Sequence, residues 1–330
     1  MKNLSVKQIL AVGLFLGTAF GGTFAYSFDN GFGCNFSPHD PHSPDIRMYR
    51  GEYKGRCMDT SAKRAVQILN QKDQDHVTIS NYRKDGKFYT AEIPLHYLEK
   101  VSYLVVDLNP KPLNFGGGIN FSHTELRFKF SKADAIKLTP QNPTDTATTD
   151  GDFVVSYNFM GPVGVDYNPM AGFDDQLYGG VLQFFSMQDE VQTRFVKRKL
   201  NVYELPFRMS AQEGAKLILQ AARTSEKLAY DSLYDTWTNN CTTKLYDIID
   251  EALQLDVKPF KFTAARAADT GMIPGFLELD ARGLLLQDTK LSSVNAQFGY
   301  KQLPSWSNIY FGYWEGKTVR DVKKAFWILK

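Results

Sequence analysis

From residue 76 to about residue 206 the apolar positions come in short runs or in alternation, the period of a pleated strand. "VTISNY" and "KFYTAEI" flank "RKDG", which predicts a hairpin whose tight turn contains Asp85-Gly86. "VSYLVVDL" reads as a buried strand that ends before Asn109-Pro110. "NFGGGINFSHTELRFKF" gives a glycine turn at Gly116 to Gly118 and then a strand. Alternation in that strand puts Leu126, Phe128 and Phe130 on one face, with His123, Glu125 and Arg127 on the other. "FVVSYNFM" and "YGGVLQFFSM" predict two further strands, with Thr139 to Asp152 before them as a polar loop. Residues 61–70 read as a short helix, and residues 26–60, rich in proline, as irregular chain.

From about Ser210 the period becomes helical. Ser210 precedes Glu213 with capping-box spacing, ahead of an apolar stripe. A second helix follows in "NNCTTKLYDIIDEAL", where Leu245, Ile248, Ile249 and Ala252 fall on one face. Cys241 lies one turn before Leu245 on that inward face, and Asn239 or Asn240 is placed to cap the helix. The last residues predict a basic helix with Val319, Val322, Phe326 and Leu329 on one face and Lys317, Arg320, Lys323 and Lys324 around it. Docking of that helix on the protein's own core is the plainer reading, and peripheral membrane contact is the alternative.

Residues 1–25 combine Lys2 and Lys7, an apolar stretch from Ile9 to Phe20, and small residues at Thr23 and Ala25, the pattern of a cleaved secretory signal peptide. No later stretch reaches the roughly 18 apolar residues of a spanning helix. A formal net charge of +2 is too balanced for a nucleic-acid surface. Of three cysteines, Cys34 and Cys57 lie close together in the proline- and glycine-rich region and are expected to pair, which leaves Cys241 free. His39, Asp40 and His42 form no convincing metal site, and no cofactor is expected.

A free thiol attacks as its thiolate, and the N–H groups and partial positive charge of a helix start stabilise that anion. A neighbouring histidine completes the activation, and the same N–H groups are placed to hold the oxyanion of a tetrahedral intermediate. His39 and His42 lie in the proline-rich loop, and His76 and His96 at strand boundaries without an obvious partner. His123, at a strand start just past the glycine turn, is the candidate base; its alternative reading is a solvent-facing histidine.

"SHTELRF", followed far downstream by "YDTWTNNCTTKLYDII", resembles the Lnb N-terminal periplasmic domain family, with its His-Thr strand and its Asn-Cys-Thr helix start. "VVSYNFMG" and "LNVYELPFRMSAQEG" resemble the strands that family carries between them, and Ser122 departs from its usual glycine before the histidine. The order of histidine before cysteine is also similar to circularly permuted papain-like enzymes of the NlpC and lecithin–retinol acyltransferase kinds. The resemblance implies an α+β fold: a circularly permuted papain-like core with an antiparallel sheet packed against the nucleophile helix. It implies Cys241 as nucleophile and His123 as base, with Asn240 beside the nucleophile. The orienting residue stays open: Asn158 falls opposite His123 if 121–130 and 153–160 pair antiparallel, and Glu125 and Tyr157 are rivals. The chain then divides into a signal peptide at 1–25, an irregular extension at 26–65 and a catalytic domain at 66–330. The expected activity is a periplasmic acyltransferase or hydrolase on lipid or lipoprotein acyl groups. The alternatives are a cell-wall peptide amidase or endopeptidase acting on peptidoglycan, and a non-catalytic binding module.

Overall fold

The computed structural model describes residues 51–71, 75–108, 122–162, 165, 177–235, 239–257, 272–302 and 315–328, all within the compact unit Cys34–Lys330. The described strands are β1 (Ile68–Asn70), β2 (His76–Lys84), β3 (Lys87–Pro94), β4 (Leu98–Asp107), β5 (Ser122–Phe130), β6 (Ile136–Pro140), β7 (Thr148–Asp150), β8 (Asp152–Met160), β9 (Tyr178–Ser186), β10 (Asn201–Pro206), β11 (Ser232–Tyr234) and β12 (Ser292–Ser293). Together they form one 12-stranded sheet in the order β12-β10-β4-β5-β8-β9-β2-β3-β6-β7, with β1 on β2 and β11 on β9. All of its pairings are antiparallel except one, a parallel contact of β2 with β9 at Arg83 and Phe185. The helices are α1 (Met187–Val191), continued by a π-helical turn at Gln192–Lys197, then α2 (Ala211–Leu228), α3 (Cys241–Leu253), α4 (Met272–Ala281), α5 (Val294–Gln297) and α6 (Val319–Ile328).

The hairpin forms as its sequence dictates. Asp85 and Gly86 sit at φ 52° and 74°, the two left-handed positions of the turn that matches strand twist, and join β2 to β3. Ser210 caps α2 with the reciprocal box to Glu213. Residues 61–70 are not a helix. Their backbone is claimed sideways: Val66 N–H donates to Ser225 Oγ at 2.9 Å, Gln67 N–H to Ser80 Oγ at 3.2 Å, and Ala65 C=O accepts from Asn81 Nδ2 at 2.8 Å. Those bonds, with Ala65 and Val66 fully buried, hold the segment extended into β1.

The sheet is covered on both faces. On one face α2 and α3 pack against Tyr103, Val105, Leu126, Phe128, Phe153, Val155 and Tyr157. Gly214 lets α2 approach closely, because a Cβ there would lie 2.4 Å from Leu98 Cδ2. On the other face α1, the π turn and α5 bring Met187, Val191, Phe195 and Val294 onto Leu104, Val106 and Val154. In α6, Val319 and Val322 are buried in the main core, so this end of the helix docks on the protein itself. The Phe326 side chain and Leu329 lie outside the described residues, as do residues 1–25, Gly116 to Gly118 and the histidines at 39 and 42. Among the described residues no helix is long and apolar enough to cross a membrane.

Candidate active site

Two asparagines set the start of α3. Asn240 is the N-cap: its Oδ1 accepts from Thr242 N–H at 2.9 Å and Thr243 N–H at 3.0 Å, and its own N–H donates to Thr243 Oγ1 at 3.0 Å. Asn239 locks the entering chain, donating from Nδ2 to Leu233 C=O at 2.5 Å and to the Tyr157 hydroxyl at 3.2 Å. Cys241, the first helical residue, is a buried free thiol. Cys57 is disulfide-bonded; Cys34, its expected partner, lies outside the described residues.

The thiol meets three groups. Burial by itself would raise its pKa. The charge and hydrogen bond of His123, the Thr124 backbone and the Tyr234 hydroxyl outweigh that and bring it from 9.0 down to about 6. His123 comes from the first turn of β5, on the opposite edge of the alternation from Thr124, whose Oγ1 sits 3.1 Å from Thr242 Oγ1 under the helix. It is not solvent-facing, being only 8% exposed. Its Nε2 lies 2.7 Å from Ser156 Oγ and 3.1 Å from Glu125 Oε1. Nε2 is thus held between a hydroxyl and a carboxyl, while the same ring bears on the thiol.

Behind the histidine the network continues through residues that the sequence reading did not name. Arg194, from the π turn, donates to Glu125 Oε1 at 3.1 Å and to Glu190 Oε1 at 2.5 Å. Burial raises the pKa of both carboxyls against the pull of Arg194. Glu125 Oε2 is buried without a hydrogen-bond partner.

The expected pairing of β5 with β8 is present, with Leu126 opposite Val155 and Arg127 opposite Val154. Asn158 nevertheless reaches His123 only at one remove: its Nδ2 donates to Ser156 Oγ and to Gln183 Oε1, each at 3.0 Å. Glu125 and Ser156 hold the imidazole directly. Tyr157 points to the α3 side, where its hydroxyl lies 2.6 Å from Ser232 Oγ. The amides expected to hold an oxyanion are largely occupied. Those of Thr242 and Thr243 serve the Asn240 cap, and Cys241 N–H makes a long 3.4 Å bond to the Tyr234 hydroxyl. Ser156 and Tyr234 gave no sequence signal beyond their strands. Glu190 and Arg194 did, as an acid–base pair at i, i+4 beside the helical stripe Met187, Val191, Phe195.

Among the described residues no cluster of His, Cys, Asp and Glu is arranged to hold a metal ion. The molecule is thus a mixed α+β protein whose sheet brings a histidine against a cysteine at a helix start. Residues 112–269 match the model of the Lnb N-terminal periplasmic domain family. No curated protein and no solved structure matches the chain.

Proposed function

We propose that the protein is a periplasmic thiol enzyme that transfers or hydrolyses acyl groups through an acyl-thioester on Cys241. The observation that carries this reading is the interaction of Cys241 with a histidine whose Nε2 is fixed by Ser156 and Glu125. A structural thiol has no use for an oriented imidazole; a nucleophile needs one.

In the reaction the thiolate attacks the carbonyl carbon of an ester or amide, forming the C–S bond. The charge on the carbonyl oxygen falls to Cys241 N–H and the Tyr234 hydroxyl, because the next two amides are taken by Asn240. The bond to the leaving oxygen or nitrogen breaks as the imidazolium of His123 gives it a proton. Water or an acceptor amine or hydroxyl then attacks the thioester. His123 takes that nucleophile's proton, and the thiolate leaves. An antiparallel sheet that carries the base and packs against the nucleophile helix supports reading the core as permuted papain-like.

Lipid or lipoprotein acyl groups are the substrate class we favour, on the family resemblance. Incubation with phospholipid vesicles should leave a fatty-acyl mass on Cys241, absent in Cys241→Ser and in His123→Ala. New amino termini from purified peptidoglycan, with no acyl adduct, would reassign the site to wall-peptide cleavage. Neither product, with ordinary alkylation of Cys241, would reassign the domain to binding.

A further inference from the structure

We propose that Glu190 and Arg194 are positioning residues of the site: Arg194 bridges Glu190 and Glu125, and Glu190 thereby leaves Glu125 enough negative charge to stabilise His123 as an imidazolium. This rests on the cysteine–histidine reading above. It assigns a role to a pair that lies on the face of the sheet opposite α3.

The geometry is a linear chain of buried groups. His123 Nε2 touches Glu125 Oε1, the same oxygen accepts from Arg194 at 3.1 Å, and the Arg194 Nε is bonded to Glu190. Glu125 is wholly buried, Glu190 is 2% exposed and Arg194 and His123 are each 8% exposed, so solvent screens none of these contacts strongly. One guanidinium faces two carboxylates. With a single carboxylate it would neutralise that group outright, and the imidazole behind it would meet a neutral pair. With two, its charge is divided, so it does not neutralise Glu125 outright and Glu125 keeps negative character toward the histidine.

The groups facing this chain come from each neighbouring element. Cys241 of α3 faces His123, and Tyr234 of β11 also bonds the thiol. Ser156 of β8 faces both His123 and Glu125. Glu190 of α1 and Arg194 of the π turn complete the set. Because α1 passes into a π-helical turn between these two residues, the turn sets where the guanidinium lands, and such turns recur at functional sites.

The test is the rate of Cys241 alkylation by iodoacetamide as a function of pH, with a thermal melt of each variant. In Glu190→Gln, which keeps shape and loses charge, Arg194 acts undivided on Glu125 and His123. The midpoint of thiolate formation should then rise by about one pH unit, and Glu190→Asp should restore most of it. A Glu190→Gln protein that melts like the wild type and titrates like it overturns the proposal. Should that variant not fold, Arg194→Lys carries the same test, since a point charge cannot bridge two carboxylates as the fork does; its midpoint should move, up if the ammonium settles on Glu125 and down if it settles on Glu190, and an unchanged midpoint overturns the proposal. Failure of the underlying reading looks different. In that case the wild type itself titrates as an ordinary thiol, with no response to His123→Ala, and the inference falls with it.

Discussion

Glu125 and Arg127 leave the same strand on the same face, and they end in networks of different character. Arg127 makes a fork to Asp152, at 2.9 and 2.6 Å, and reaches Glu204 and Gln297 at 3.4 and 2.9 Å. Lys100 adds a second cation to Glu204 at 3.1 Å. Two carboxylates thus meet two cations. Although burial opposes it, Arg127 and Lys100 hold Glu204 below the usual carboxylate range; burial pushes Asp152 up against Arg127's pull. The Glu125 network has two carboxylates, one guanidinium, an orphaned carboxylate oxygen and a histidine that ends on a thiol. The first network reaches partly exposed groups, while the second is closed off from solvent. The charge-matched network reads as architecture, and the one that shares one guanidinium between two carboxyls and ends on a histidine reads as the proposed chemistry.

Substitutions can break this contrast at either end. Arg127→Met should have the largest effect on folding, about 3 kcal/mol in chemical denaturation, because it leaves the part-buried Asp152 without its cation and takes one of two cations from buried Glu204. The alkylation profile of Cys241 should not move in that variant; if it does, the two networks are one. Next in size is a pH effect on stability. The thiol titrates at about 6 in the folded chain and near 9.0 ordinarily, so between those values the unfolded chain binds a proton that the folded chain has released. Stability should rise as pH climbs through that interval and fall as pH drops through about 6. In paired melts, the advantage of wild type over Cys241→Ser should grow across it; a pH-independent difference would mean that the thiol is not depressed. Glu125→Gln should raise the thiolate midpoint by about one unit, at less cost to the melt than Arg127→Met. The smallest effect belongs to the cap. Asn240→Ala should cost about 1 kcal/mol and free the Thr242 and Thr243 amides, with the alkylation midpoint little changed.

Much of the architecture was legible in the chain. The Asp85-Gly86 turn, the Ser210 box and the stripe behind Cys241 are local rules, and each element forms where its rule places it. Alternation divided β5 correctly into two faces. It did not show that the polar face would be covered, since cover comes from α1, the π turn and α5, which lie far along the chain. Residues 61–70 defeated propensity because their hydrogen-bond partners, Ser80, Asn81 and Ser225, belong to other elements. Cys241 and His123 were visible as residue types at revealing places. The groups that hold the imidazole were less so. Strand register favoured Asn158, but Ser156 stands between Asn158 and the ring, and Glu125 reaches the ring from the same strand.

Cys241 and His123 stand far apart in the chain and meet only once β5 and α3 have docked on each other. In the unfolded polypeptide the sulfur has no imidazole beside it and no helix start around it, so it reacts as a sluggish thiol. On the proposed function, the protein therefore leaves its nucleophile unactivated until it has reached its own native state. The pH dependence of labelling, more than its bare rate, marks the arrival of that state, because folding also buries the sulfur.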